Sequence, residues 1–265
     1  MNIKTILTLL VIILSFSSFS FSQQAVNIKQ FTVSQAQQAV AVDNNYFYVI
    51  NNSTVTKHHK ETGEQIAKWD GTADSIHHLN SGIVIKGKLY CANSNYPQSP
   101  MASSIEIFDV NTMQHIGNHS FGIGYGSVTW IDEKDGHWWV AFANYTGRGS
   151  SEGKDNRWTC LVKFTKTWQM VESWIYPPNI IALFGTKSNS GGVWGKDGYL
   201  YMNGHDNPEL YVMQLPKIGY TLKHIKTIPV PVYGQGIALD PSAKGNPVFY
   251  GLSRTDNTIT RFELQ

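Results

Sequence analysis

The chain has 265 residues, with 21 Lys and Arg against 19 Asp and Glu and a formal charge of +2 at neutral pH. That balance, without a basic run, leaves no electrostatic footprint for a nucleic-acid partner. Two cysteines exclude a disulfide-dense scaffold, and the length suits one large domain.

Residues 1–22 read as an export signal. Lys4 precedes the apolar run Ile6–Leu14, and a Ser/Phe tract ends in Ser20-Phe21-Ser22, which places small residues at the −3 and −1 positions before Gln23. The apolar run is too short for a membrane span, which needs about 20 residues. The expectation is therefore an exported protein, periplasmic or secreted, with one domain over 23–265 and no membrane insertion once the signal is cleaved. Cys91 and Cys160 could pair in an oxidising compartment, but Cys91 falls in an expected inner strand, where a free thiol packs as a small hydrophobe.

From Gln23 onward helical periodicity is scarce, and short β-rich runs alternate with Gly, Asn, Asp and Pro. Five hairpins align: Gln38–Tyr48, Ser81–Tyr90, Gly126–Trp139, Gly191–Tyr201 and Gln235–Tyr250. Each has a small residue near its start (Ala39, Gly82, Ser127, Gly192, Gly236) and an aromatic closing its second strand (Tyr48, Tyr90, Trp139, Tyr201, Tyr250). The small residues recur at intervals of about 43, 45, 65 and 44, the period of a propeller blade. The fold class expected is all-β, a five-bladed β-propeller. Its last blade lacks a fourth strand, which Val26–Val33 can supply, so that the two ends of the chain close the ring. A six-bladed ring, with part of the long third unit counted separately, is the alternative. The extra length of that unit lies in Thr146–Asn156 and Pro177–Lys187, expected as loops.

In a blade, the segment before the first strand and the segment after the second emerge on one face. Collecting these segments places His77, His78, Asn80, Asn95, Tyr96, Asn144, Tyr145, Arg148, Asn189, His205, Asp206, Gln235 and Arg254 around one mouth of the channel. The opposite face receives turns such as Lys86-Gly87-Lys88 and Lys196-Asp197-Gly198, which are ordinary solvated turn chemistry. Neighbours in an extended segment point to opposite sides, so only one of His77 and His78 should face the channel, and His78 is the better candidate.

These residue types fit proton abstraction beside a carboxylate. Arg254 or Arg148, with Asn80, Asn189 and Gln235, could hold the carboxylate and stabilise an enolate-like intermediate. His78 or His205 could take the proton, and Tyr96 or Tyr145 could protonate the leaving oxygen. His77, Asn95 and Asn144 complete the expected substrate contacts. No cofactor is called for in this scheme. A metal-dependent alternative would draw ligands from His78, His205 and Asp206, and Gly236-Ile237-Ala238-Leu239-Asp240 is similar to phrases of the six-bladed lactonase and gluconolactonase family. A non-catalytic glycan-binding propeller is the third reading.

The phrases His78-Leu79-Asn80-Ser81-Gly82, Asn93-Ser94-Asn95-Tyr96-Pro97 and Asn203-Gly204-His205-Asp206, with the blade pattern and the signal, resemble secreted propeller proteins of Bacteroidetes polysaccharide-utilisation systems. Among these the chain looks like the ulvan oligosaccharide dehydratase type. The resemblance implies an acidic oligosaccharide substrate and removal of water from a non-reducing-end uronic acid, leaving an unsaturated sugar.

Overall fold

The computed structural model describes residues 23–72 and 76–265. The expected export signal, 1–22, lies outside the described residues, among which no helix is long and apolar enough to cross a membrane.

The strand β1 (Ala25–Thr32) comes first and belongs to the last blade. The first blade is β2 (Ala39–Val42), β3 (Tyr46–Asn51), β4 (Thr54–His59) and β5 (Gln65–Asp70). The second is β6 (Leu79–Ile85), β7 (Lys88–Ser94), β8 (Ser103–Asp109) and β9 (Gln114–Gly122). The third is β10 (Ser127–Lys134), β11 (His137–Ala143), β12 (Cys160–Phe164) and β13 (Met170–Ile175). The fourth is β14 (Gly191–Trp194), β15 (Leu200–Asn203), β16 (Glu209–Gln214) and β17 (Lys223–Pro229). The fifth has β18 (Ala238–Leu239), β19 (Val248–Ser253) and β20 (Thr258–Leu264), and β1 completes it. All five sheets are four-stranded and antiparallel, so the protein is a five-bladed β-propeller.

Ring closure follows the expected scheme. Strand β1 pairs antiparallel with β20, from Ala25 opposite Leu264 to Thr32 opposite Thr258. The backbone of Gln24 and Gln265 extends the ladder by two further hydrogen bonds of 2.9 Å. A blade drawn from both chain ends covers the edge of β20 and ties the ring shut.

Each seam between blades is filled by one large apolar cluster. Tyr48, Trp69, Leu89 and Phe108 join the first and second blades, and Val140, Phe142, Phe164 and Ile105 join the second and third. Trp139, Trp174, Trp194 and Tyr211 fill the next seam, and Tyr201, Phe249 and Phe262 the one after. The closing aromatics Tyr48, Trp139, Tyr201 and Tyr250 are thus core, and Tyr90 is half-buried against Trp138. Tyr48 and Tyr201 also donate to the carboxylates of Asp43 and Asp197 across their own turns, both at 2.7 Å.

The small hairpin residues have the expected cause. Five inner strands converge on the axis, and a Cβ at Gly236 would collide with Ser81 Oγ and Ala39, while one at Gly192 would run into the Trp130 ring. Below the mouth the channel narrows to a void of about 30 Å³ walled by Val42, Ile83, Ile131, Asp132 and Val193. Asp132 bridges blades there, accepting from the Trp194 backbone N–H at 2.7 Å, and burial pushes its carboxyl up to about 7.

One expectation needs amending in detail. Residues 177–187 are not all loop, because Pro178–Leu183 forms the helix α1. Pro178 suits the first helical position, where an N–H would be unpaired in any case, and Ile180, Ile181 and Phe184 pack into the seam between the third and fourth blades. Cys91 and Cys160 are free thiols, and Cys91 is fully buried in β7.

One ion pair clamps the closing blade to the first. Lys60 Nζ lies 2.6 Å from Asp240 Oδ1, with the Asp43 carbonyl at 2.8 Å and Ser242 Oγ at 2.9 Å, and both charged side chains are almost fully buried. Without Lys60, buried Asp240 keeps only the more distant Arg261 guanidinium, at 3.9 Å, and breaking a buried pair costs about 3–5 kcal/mol. Lys60→Met should therefore destabilise the protein by roughly that amount in urea unfolding, and adding Asp240→Leu should recover much of it. A single-variant loss under about 1 kcal/mol would mean that the clamp is solvated.

Candidate functional site

The segments flanking each inner hairpin do converge at one end of the ring. Within blades, the backbone N–H of Gln38 donates to the Ile50 carbonyl, Ser94 to His78, Ser190 to Asn203 and Tyr233 to Leu252. Polar side chains then link blade to blade around the opening. Gln235 Nε2 of the fifth blade donates to the His205 carbonyl of the fourth at 3.4 Å. Arg254 Nη2 donates to Gln235 Oε1 at 2.7 Å and to Gln38 Oε1 of the first blade at 3.1 Å. Gln38 Nε2 donates to Asn52 Oδ1 at 3.0 Å, and the same oxygen lies 3.1 Å from His78 Nδ1 of the second blade. The His78 ring packs on Tyr96, centroids 5.1 Å apart, and Tyr96 packs on Tyr145 of the third blade at 4.8 Å.

Arg254 sits at the centre of this arc. It follows β19, and its Nε donates to the Gln37 carbonyl. All its protein partners are neutral oxygens, and no carboxylate lies within ion-pair distance among the described residues. Asp206, whose charge reaches the guanidinium, is itself paired with His205 Nδ1. Burial pulls the guanidinium below its ordinary value, with Asp206 opposing. A half-buried cation without a counter-charge loses hydration and regains little of it, so it favours an incoming anion.

The two histidines differ in electrostatics. Burial, followed by the repulsion of Arg254, pulls His78 from 6.5 down to about 4, so its ring is neutral at neutral pH. Asn52 Oδ1 accepts from Nδ1–H, which leaves the His78 Nε2 lone pair free. His205 is also lowered by burial, but Asp206 works against that by stabilising the imidazolium. Tyr145 is buried deeply enough to be pushed up to about 12, whereas Tyr96 is partly exposed and its hydroxyl has no partner among the described residues.

Other expected contacts lie elsewhere. Asn189 is 1% exposed, and its amide is fully engaged: Oδ1 accepts from Trp130 and Tyr176, and Nδ2 donates to the Gly191 and Asn203 carbonyls. Asn144 Nδ2 donates to the Tyr125 and Trp158 carbonyls, and Asn95 fastens its own loop through Pro100 and Ala102. These three asparagines shape the mouth and have little left to offer a ligand. Asn80 accepts from the Ser81 N–H. His77 is exposed and diverges from His78, lining a groove on the outer side of the second blade. Arg148 is exposed on the inserted loop 146–156, which is pinned by Thr146 to Thr186 and by Asn156 to Gly185 and lies with Gly149 against the Tyr96 ring. Gly149-Ser150-Ser151-Glu152-Gly153 has the letters of a nucleophile elbow, but it lies in this loop and not between a strand and a helix, so it lacks that motif's context.

Gln38 and Asn52 belong to the same mouth-facing segments, but the sequence assigns them no role. Their part is visible only through cross-blade partners, which no local spacing encodes. Among the described residues no three His, Cys, Asp or Glu side chains gather to hold a metal, so the alternative drawn from His78, His205 and Asp206 lacks a ligand cluster.

No family model and no curated protein matches the chain. Solved structures do. The WD40 domain of Toxoplasma gondii coronin is 11% identical, covering 91% of this chain and 86% of that one, with a TM-score of 0.48. The Kuenenia stuttgartiensis hydrazine synthase is 11% identical, with coverage of 85% and 82% and a TM-score of 0.50. A protein of unknown function from Bacteroides caccae is 10% identical over 78% of this chain and 65% of that one, with a TM-score of 0.44. At such identities the likeness concerns the propeller fold alone.

The His78 reading gives a direct check. By NMR its ring should stay neutral at pH 6 and titrate near pH 4, and Arg254→Gln should raise the midpoint by removing the repulsion. The unfolded chain takes up that proton first, near 6.5, so folding stability should fall as pH drops from about 6.5 towards 4. A midpoint at the ordinary value would show that His78 is solvated.

Proposed function

We propose that this propeller is an exported carbon–oxygen lyase that removes water by β-elimination from the non-reducing-end uronic acid of ulvan-type oligosaccharides. The observation that carries the reading is Arg254, a half-buried guanidinium held by neutral oxygens at the mouth and lacking a carboxylate partner among the described residues. A uronate carboxylate supplies the missing charge.

The residues around it divide the labour. His205 is the base, because Asp206 stabilises the imidazolium that forms as the proton arrives. The C5 proton passes to His205, and the electron pair left behind delocalises into the carboxylate, where Arg254 stabilises the developing enolate. That pair then forms the C4–C5 double bond as the C4–O bond breaks. Tyr96 gives its proton to the departing hydroxyl, which leaves as water. Neutral His78, held by Asn52, contacts the sugar beside Arg254 without adding a second positive charge. Tyr145 backs the Tyr96 ring from the third blade.

Mass spectrometry of uronate-terminated oligosaccharides incubated with the protein tests this. The wild type should produce a species lighter by one water. His205→Ala should lower the rate by about 100-fold or more, Tyr96→Phe should lower it comparably, and both variants should keep the native circular dichroism. Tight binding with an unchanged substrate would instead make the protein a glycan-binding propeller. A full rate in His205→Ala would remove His205 from the role of base.

A further inference from the structure

We propose that the seam between the first and second blades holds a second carbohydrate subsite, for the sugar units that follow the uronate. It rests on reading the mouth as the uronate site. The starting point is an anomaly of packing. The end of this seam far from the mouth is apolar like the others, with Leu89, Cys91, Phe108 and Trp69 in contact. The mouth-side end of the same face of the second blade is polar. Asn93 of β7 stands opposite Ser104 of β8, and Glu106 of β8 opposite Asn118 of β9. Instead of closing on the first blade, these side chains line an open cleft of about 680 Å³, with Trp69 on its apolar side.

The floor of the cleft is organised. Glu106 is only 4% exposed; it lies 2.8 Å from His115 Nε2 and accepts from Ser104 Oγ and Asn93 Nδ2. Asn93 Oδ1 is buried with no partner among the described residues. Fixed acceptors beside an aromatic wall suit sugar hydroxyls and a sugar's apolar face. The cleft is also continuous with the mouth. A smaller groove of about 270 Å³ shares Asn93 and Ser104 with it and reaches Tyr96, whose ring packs on His78. An oligosaccharide with its uronate at Arg254 has a polar track to follow over the rim and down this seam.

Asn118 is exposed on the outermost strand, so Asn118→Trp fills the cleft without entering the core. The experiment is calorimetric titration of the wild type, Asn118→Trp and Arg254→Gln with two probes: a uronate-terminated ulvan tetrasaccharide and the corresponding disaccharide. The wild type should hold the tetrasaccharide about tenfold more tightly. Asn118→Trp should abolish that advantage and leave disaccharide affinity unchanged, while Arg254→Gln should weaken both. Equal affinity for the two lengths, or an unaltered advantage in Asn118→Trp, overturns the subsite; if Arg254→Gln still weakens both, the mouth reading stands. A length advantage lost in Asn118→Trp with no effect of Arg254→Gln supports the cleft and overturns the mouth as the uronate site. A wild type that binds neither probe overturns both.

Discussion

Closure of the ring by β1 is the constraint from which the other features follow. Pairing Ala25–Thr32 with Thr258–Leu264 places the fifth blade between the first and the fourth and fixes the circumference at five sheets. Five inner strands leave little room on the axis. Residues at Gly236 and Gly192 must lack a side chain, and the channel shrinks to a void of a few tens of Å³. The buried Lys60–Asp240 pair then locks the closing blade to the first, near its axial strand and away from the mouth.

A narrow channel draws the loops of the mouth together. Loops that would be far apart in a wider ring are close enough for side chains to bridge blades. Arg254 can therefore be held simultaneously by Gln37 and Gln38 of the first blade's entry segment and by Gln235 of its own. Asn52 can orient a histidine from the next blade. The electrostatics follow from this crowding. Burial keeps His78 neutral, Asp206 offsets burial at His205, and no acid neutralises Arg254. The mouth therefore holds a half-buried guanidinium with no carboxylate partner among the described residues, and that charge defines the ligand it should prefer.

The fold was legible in the sequence because its determinants are periodic. Small residues at Ala39, Gly82, Ser127, Gly192 and Gly236 mark the axis, and closing aromatics mark the seams, so alignment of hairpins recovers both. The leftover strand at each chain end identified the closure. The helix Pro178–Leu183 escaped notice because six residues are too few to show a 3.6-residue period. Topology also placed the mouth-facing segments, yet it could not rank the polar residues within them. Asn189 and Arg254 look equally suited on paper. The first is consumed by Trp130, Tyr176 and backbone carbonyls, whereas the second retains an unneutralised charge. That difference lies in long-range partners, which a single sequence does not display. The polar half of the first seam was invisible for the same reason, since Glu106 and Asn118 become neighbours only through strand register.

The central claim is that Arg254 receives a uronate carboxylate at the mouth of the ring. A crystal structure of the His205→Ala variant with a uronate-terminated oligosaccharide tests it most directly. The account predicts carboxylate oxygens hydrogen-bonded to the Arg254 guanidinium, with the sugar beside His78 and Tyr96. A carboxylate bound on the opposite face, among the turns at Lys86 and Lys196, or left in solvent away from Arg254, would contradict it.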